Sequence, residues 1–371
     1  MKSDLRFVND NSVGITRIRF RNKFYYKDVD GNRIVDQDEL TRIKALVIPP
    51  AWNDVWISPL KNGHIQATGR DNKLRKQYRY HQLWREIRDV EKYNHMIDFG
   101  SALPLIRERV EAALSLPGLP QEKVIATIIC LLQHTKIRIG NDEYAKQNKS
   151  YGLTTLRNKH IVIDGSKMCF HFRGKSGVEH TINLSDRRLA RIVKNIKDLP
   201  GQDLFQYLDD EGNRQTINSS HVNDYLRELT GENYTAKDFR TWYGTIEAVT
   251  ALMSFEHYEE ETQAKHNLVE AMKLVSKKLG NTPAICRKSY VHPLVISTYL
   301  DGSLIDFVKL STLSSAIDST DMEISREVAS HDLINLNAIN LNAINLKTLS
   351  EMETVILDFL QQNAKPQTLK R

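Results

Sequence analysis

The sequence predicts an α+β protein: a small β-rich N-terminal domain, then a larger, mostly α-helical domain that carries a β-hairpin. Three observations lead there. Residues 16–26 alternate and hold Ile18, Phe20, Phe24, Tyr25 and Tyr26, the two-residue period of a half-buried strand. From about residue 91 the period lengthens, and Val124, Ile125, Ile128, Ile129 and Leu132 recur on one face of a helix opened by Pro120. Among the helices, Ile161-Val162-Ile163, the turn Asp164-Gly165, and alternating Met168, Phe170 and Phe172 make a hairpin.

The remaining elements follow from local signals. Asp30-Gly31 supplies a short turn after the first β segment. Asp36, with Glu39 three residues on, opens a short helix as a capping box. Pro49-Pro50 ends that helix, and a second β segment follows at about 55–58. After the hairpin, the stretch 174–177 gives a second turn before His180-Thr181-Ile182, and helices are expected at about 185–198, 219–230, 236–254 and 258–279. Three regions result: residues 1–90, residues 91–303, and a C-terminal extension over 304–371.

The extension differs in character. It holds nine acidic against six basic residues, so the part before it carries roughly +9 of a net charge of +6. Its five-residue period, Ile334-Asn335-Leu336-Asn337-Ala338 followed by one full copy and one partial copy, is too short for a solenoid and reads as a tolerated linker. Residues 351–362 have the pattern of a final amphipathic helix, but they lie beyond every motif that carries chemistry. The expectation is a tail dispensable for activity.

Composition narrows the class. A charged fraction of 26% with 40% hydrophobic residues is that of a globular protein, and a pI near 9.0 favours a polyanionic partner. The three cysteines, Cys130, Cys169 and Cys286, have no metal-like spacing, so no metal site is expected. No run of about 18 apolar residues and no signal-peptide pattern is visible, which predicts a cytoplasmic protein without membrane association. Phosphate loops of the P-loop and dinucleotide types are missing from the sequence, and no cofactor is expected.

Four short stretches remain, and each has an ordinary explanation when taken singly. Arg138, with Gly140 two residues on, reads as a basic residue near a helix-ending glycine. Lys175 at a hairpin tip reads as a solvated lysine, and Arg240 beside Trp242 and Tyr243 as a stacked structural residue. Gly280-Asn281-Thr282-Pro283 opens a helix whose Tyr290 reads as core.

In that order and together, the arginine, the hairpin lysine, Lys237-Asp238-Phe239-Arg240-Thr241 and the tyrosine nine residues after Asn281 resemble the active site of the type IB DNA topoisomerases. The resemblance extends over roughly residues 15–300. It includes Ile48-Pro49-Pro50-Ala51-Trp52, Gln66-Ala67-Thr68-Gly69-Arg70-Asp71 and Lys76-Gln77-Tyr78-Arg79-Tyr80-His81. Two positions depart from the pattern: Asn281 stands where most relatives have histidine, and Leu74 where a glycine is usual.

The resemblance implies a fold like that of the tyrosine recombinase and topoisomerase catalytic domains. It also implies relaxation of duplex DNA through a 3′-phosphotyrosyl intermediate. Tyr290 is then the nucleophile, Arg138, Arg240 and Asn281 stabilise charge on the phosphate, and Lys175 is the general acid. Lys73, Arg75, Lys76, Gln77, Tyr78, Arg79, Tyr80 and His81 become DNA contacts, with Tyr144 on a helix facing the major groove, and the protein acts as a monomer clamping double-stranded DNA. A tyrosine site-specific recombinase is the nearest alternative. That family usually has His-x-x-Arg where Lys237 precedes Arg240, and Gly-His where this chain has Gly280-Asn281. A non-catalytic DNA-binding protein is the third reading, and the five filled catalytic positions speak against it.

Overall fold

The computed structural model describes residues 5–21, 23–72, 74–255, 258–318 and 349–363. Two compact units divide between Asn94 and His95.

The first unit is a five-stranded antiparallel sheet in the order β2-β1-β3-β4-β5. Its strands are β1 (Ile15–Phe20), β2 (Lys23–Lys27), β3 (Asn53–Ile57), β4 (Ile65–Arg70) and β5 (Lys76–Tyr80). Helix α1 (Gln37–Ala45) lies between β2 and β3 in the chain. Its N-cap is Asp36, whose side chain accepts from the Glu39 backbone N–H at 2.7 Å, as the sequence leads one to expect. Ile43 of this helix joins Ile15, Val55, Ile57 and Ala67 in the buried core, with Tyr26 and Trp52 packed against it.

Two sequence expectations change here. The alternating stretch 16–26 is not one strand but two, paired from Thr16↔Lys27 to Phe20↔Lys23. The chain reverses at Arg21, which takes a left-handed φ of 50° without being glycine, so no glycine advertises the reversal. The turn at Asp30-Gly31 exists but follows β2, with Asp28 N–H donating to the Asn32 carbonyl. Strands β4 and β5 were not anticipated. The turn between them places Leu74 at φ 58°, a conformation that favours the glycine usual in relatives.

The second unit is mainly helical. Helix α2 (Gln82–Leu114) starts nine residues before the expected onset and contributes its later turns here. Helix α3 (Gln121–Thr135) is buried along nearly its whole length. It ends not at Gly140 but at Lys136, which adopts φ 54° as the C-cap. Helix α4 (Asp142–Asn148) follows, capped by the Asn141 side chain. The predicted hairpin is a three-stranded antiparallel sheet of β6 (Ile161–Asp164), β7 (Lys167–Arg173) and β8 (Glu179–Ser185). Next come α5 (Arg187–Lys197), the short pair β9 (Gln206–Leu208) and β10 (Arg214–Thr216), α6 (Ser219–Thr230), α7 (Ala236–Met253) and α8 (Glu261–Leu279). The four helices expected after the hairpin are therefore present, within a few residues at each end.

The C-terminal expectation is corrected. Helices α9 (Pro283–Ser289) and α10 (Pro293–Leu300) lead directly into α11 (Ser303–Asp318), and α12 (Glu351–Asn363) belongs to the same unit. Met352, Ile356, Phe359 and Leu360 of α12 are buried. Glu353, 2% exposed, receives both terminal nitrogens of Arg107 at 2.8 and 3.0 Å. Arg107 is itself fully buried and also donates to Gln133 and to the Tyr243 hydroxyl, while Trp242 donates its indole N–H to Glu353. A pair this dry is stable only when every donor and acceptor is matched, and these nearly all are. Residues 304–318 and 349–363 thus belong to the helical unit rather than to a separate extension; the Asn-rich repeat lies outside the described residues.

Candidate active site

Three helix ends converge on one arginine. Helix α7 is started by Thr235, whose capping box with Asp238 fixes its first turn. One turn later Arg240 is buried, 4% exposed. Its Nη1 donates to the carbonyl of Lys136, the C-cap of α3, and its Nη2 to that of Leu279, the last residue of α8, at 2.7 Å. Carbonyls at helix C-termini carry partial negative charge, so both helices favour a cation at this point. Arg240 Nε is buried without a hydrogen-bond partner.

Helix α8 ends at Gly280 in the left-handed conformation, φ 57°, which turns the chain into Asn281 and Thr282. Arg138, two residues past the end of α3, donates to the Gly280 carbonyl at 3.2 Å and to Asn281 Oδ1. With Oδ1 committed, Asn281 Nδ2 is left as a buried, unpartnered donor. Thr282 caps α9 and Pro283 occupies its first turn.

Tyr290 is the C-cap of α9 rather than a residue inside it. Its backbone is held close to α7: a Cβ on Gly244 would stand 2.8 Å from the Tyr290 carbonyl oxygen, and Thr245 Oγ1 donates to that oxygen at 3.2 Å. The phenol ring lies over Arg240, with the guanidinium carbon 5.3 Å from its centroid. Burial pushes the hydroxyl pKa up, but the charges of Arg240 and then Arg138 outweigh it and hold the phenol below its ordinary value of 10.0. The arginine feels the same closeness in reverse. Burial, and after it Arg138, lowers the Arg240 pKa to about 10, which leaves it charged at neutral pH.

Lys175 begins a short 3-10 turn, Lys175–Gly177, between β7 and β8, and is exposed. It lines a cavity of about 420 Å3 together with Arg138, Tyr144, Lys237, Arg240 and Tyr290. The fold therefore gathers residues from four separate stretches of sequence around one opening, with Asn281 bonded to Arg138 at its side. Sequence reasoning missed His180, whose ring sits between Gly174 and Gly280. Only its register opposite Phe172 on the predicted hairpin could have pointed inward. It missed Arg107 as well, because nothing local marks a buried arginine.

In the first unit, the DNA-contact candidates occupy β5 and the turn before it. Strand alternation divides them. Tyr78 and Tyr80 are exposed on one face, their rings stacked 5.7 Å apart at 9°, with the Lys76 ammonium 5.7 Å from the Tyr78 centroid. Gln77 and Arg79 alternate with them and are turned inward, where Gln77 donates to Asp71 and Arg79 to the Val47 carbonyl. His81 accepts from the Leu83 backbone N–H. Arg75 pairs with Asp71 at 2.6 Å and Lys76 with Asp10 at 2.7 Å. Within β5, residues 76, 78 and 80 are thus exposed while 77 and 79 are turned inward, because a two-residue period sends neighbours to opposite faces. Lys73 lies outside the described residues.

Among the described residues no cluster of three potential metal ligands occurs, and no helix is long and apolar enough to cross a membrane.

A mixed fold with a sheet-bearing N-terminal unit and a helical core, holding a tyrosine over one arginine and within the field of a second, defines the class within which comparison is informative. Residues 81–302 match the family model of the eukaryotic DNA topoisomerase I catalytic core, and residues 23–71 that of the bacterial DNA topoisomerase IB N-terminal domain. The chain is 33% identical over 293 residues to DNA topoisomerase 1B of Acanthamoeba polyphaga mimivirus, covering 77% of this chain and 87% of that protein. It is 23% identical over 247 residues to the vaccinia virus (strain Copenhagen) DNA topoisomerase 1B, covering 66% and 75% respectively. The chain belongs to the type IB DNA topoisomerase family, and its activity is the relaxation of supercoiled DNA by transient strand cleavage.

Proposed function

We propose that Tyr290 is the nucleophile of this topoisomerase and that Arg138, Arg240, Asn281 and Lys175 complete its active site. In the cleavage step the Tyr290 oxygen bonds to a backbone phosphorus, and the phenol proton passes to solvent. The bond from phosphorus to the 5′-oxygen breaks, and the Lys175 ammonium donates the proton that the leaving oxygen needs. Rejoining reverses each step, so bond energy is stored in the phosphotyrosyl ester and neither a nucleotide nor a metal ion is required. Charge on the non-bridging oxygens is met by Arg138, Arg240 and Asn281.

The observation that carries this reading is the Tyr290 phenol, held over Arg240 in a cavity that Lys175 also borders, with its pKa lowered by two arginines. Tyr78 and Tyr80, stacked and exposed beside Lys76, supply the DNA-facing surface of the first unit, and Tyr144 on α4 borders the cavity. The protein acts as a monomer on the duplex, in the cytoplasm at the nucleoid, and its catalytic fold is the one shared with tyrosine recombinases. The test is relaxation of supercoiled plasmid, of both signs, in EDTA and without ATP, followed by denaturant trapping of the adduct. Tyr290→Phe should bind DNA and trap nothing. A magnesium requirement, or a 3′-linked adduct formed by Tyr290→Phe, would overturn the assignment.

A further inference from the structure

His180 stands on the inner face of the three-stranded sheet, opposite Phe172 in register, with the two rings stacked 5.1 Å apart at 17°. Its other edges meet backbone. A Cβ on Gly174 would fall 2.6 Å from Cδ2 and Nε2 of the imidazole, and a Cβ on Gly280 would overlap its Cε1. Gly174 immediately precedes Lys175, and Gly280 immediately precedes Asn281. A single ring therefore touches the residue before Lys175 and the residue before Asn281. Glycine at both positions lets the ring reach the main chain rather than a flexible side chain.

We propose that His180 is a positioning residue for strand cleavage, seating the Lys175 turn against the Gly280-Asn281 turn so that the proton donor is held at the leaving oxygen. The inference rests on the assignment of Lys175 as general acid made above. The surroundings suit a neutral wedge. Burial first, then the charges of Arg138 and Arg240, lower the His180 pKa, with Glu179 acting weakly the other way. Lys136 and Lys278 border the same small enclosed space and add no acid to it. Uncharged, the ring adds no further cation that would repel the lysine it helps to place.

A core aromatic that merely fills space would affect every substrate alike, and this separates the two roles. Replacing the 5′-bridging oxygen by sulfur gives a leaving group that needs no proton. His180→Ala should slow single-turnover cleavage of the ordinary substrate by roughly tenfold or more, as loss of a placed general acid does, and the sulfur substrate should restore most of that loss. His180→Ala combined with Lys175→Ala should be no slower than Lys175→Ala alone, because a misplaced donor and a missing one are equivalent. Gly174→Ala, which presses a methyl group on the same ring from the loop side at an ordinary φ of −95°, should repeat the pattern if His180→Ala folds poorly. Lys175→Ala on the sulfur substrate is the control. If it is not rescued, the general-acid assignment fails and this inference with it. If it is rescued and His180→Ala and Gly174→Ala are not, only the positioning role is overturned.

Discussion

Arg240 and Tyr290 are coupled through geometry that a point charge cannot reproduce: the guanidinium lies against the phenol ring while its two terminal nitrogens hold the carbonyls of Lys136 and Leu279. A lysine at this position keeps the charge and loses the fork. Arg240→Lys should therefore lower single-turnover cleavage by about a hundredfold or more, the usual effect of removing a placed donor to a developing anion. DNA affinity should change little. Cleavage within a few-fold of the parent would mean that net charge alone is sufficient and that the two carbonyl contacts are incidental.

Asn281 offers a neutral donor where most relatives have histidine, so the cleavage profile of this chain should lack the contribution of an imidazole titrating near pH 6.5. Asn281→His should introduce one. The ratio of variant to parent rate is expected to rise as pH falls through the imidazole pKa, since the protonated ring donates more strongly. The neighbouring Arg138 should displace that transition below the ordinary value. A ratio independent of pH between 5 and 8 would show that position 281 does not donate to the reacting phosphate.

His134, in the last turn of α3, has its pKa pushed down to about 4, first by burial and then by the charge of Lys136. Between the ordinary value of 6.5 and about 4 the unfolded chain binds a proton that the folded chain refuses, so stability falls as pH is lowered through that window. The loss is below about 3.5 kcal/mol, since the ring retains some contact with water. Urea midpoints for the parent and for His134→Gln should converge as pH drops from 6.5 to 4. Parallel curves would place the acid sensitivity elsewhere, with His160 and His180 next because burial lowers both of their pKa values.

The elements that were legible in the sequence are those whose cause is local. Asp36 with Glu39, Pro120, Asp164-Gly165 and Thr282-Pro283 each announce a boundary within a few residues, and the structure places caps or turns at all four. The candidate catalytic set was legible for another reason: its members resemble a known pattern in order, though no single member stands out. What was hidden depends on distance or on an unmarked backbone conformation. Arg21 and Leu74 reverse the chain at positive φ without a glycine. His180 is an ordinary strand residue until the fold brings Gly280 to its far side. Glu353 meets Arg107 across 246 positions of sequence, and a carboxylate in an amphipathic pattern reads as solvent-facing until its partner is known.

That last pair yields the prediction that most separates structure from sequence. The composition of the region after residue 303 suggests a tail whose removal leaves cleavage intact, whereas the structure buries Glu353 against Arg107, Trp242 and the Ser350 backbone N–H. Removing one partner of a dry ion pair strands the other, at a cost of roughly 3–5 kcal/mol. Glu353→Ala should accordingly lower the melting temperature by several degrees or more, about 2–4 °C for each kcal/mol in a domain of this size. Truncation after residue 348 should do worse, because it also uncovers the apolar surface against which Met352, Ile356, Phe359 and Leu360 of α12 are buried. Trp242 and Tyr243 belong to the helix that carries Arg240, so cleavage should fall together with stability. Salt provides the second measurement. A solvent-exposed attachment would weaken between 0.05 and 0.5 M salt as screening lengths shrink to a few ångströms (a range of roughly tenfold in ionic strength). The Arg107–Glu353 contribution, obtained from the double-mutant cycle with Arg107→Met, should stay constant over that range because neither group meets water. A truncated protein that melts and cleaves like the parent would show instead that α12 is a passenger and that the buried carboxylate contributes nothing to the catalytic unit.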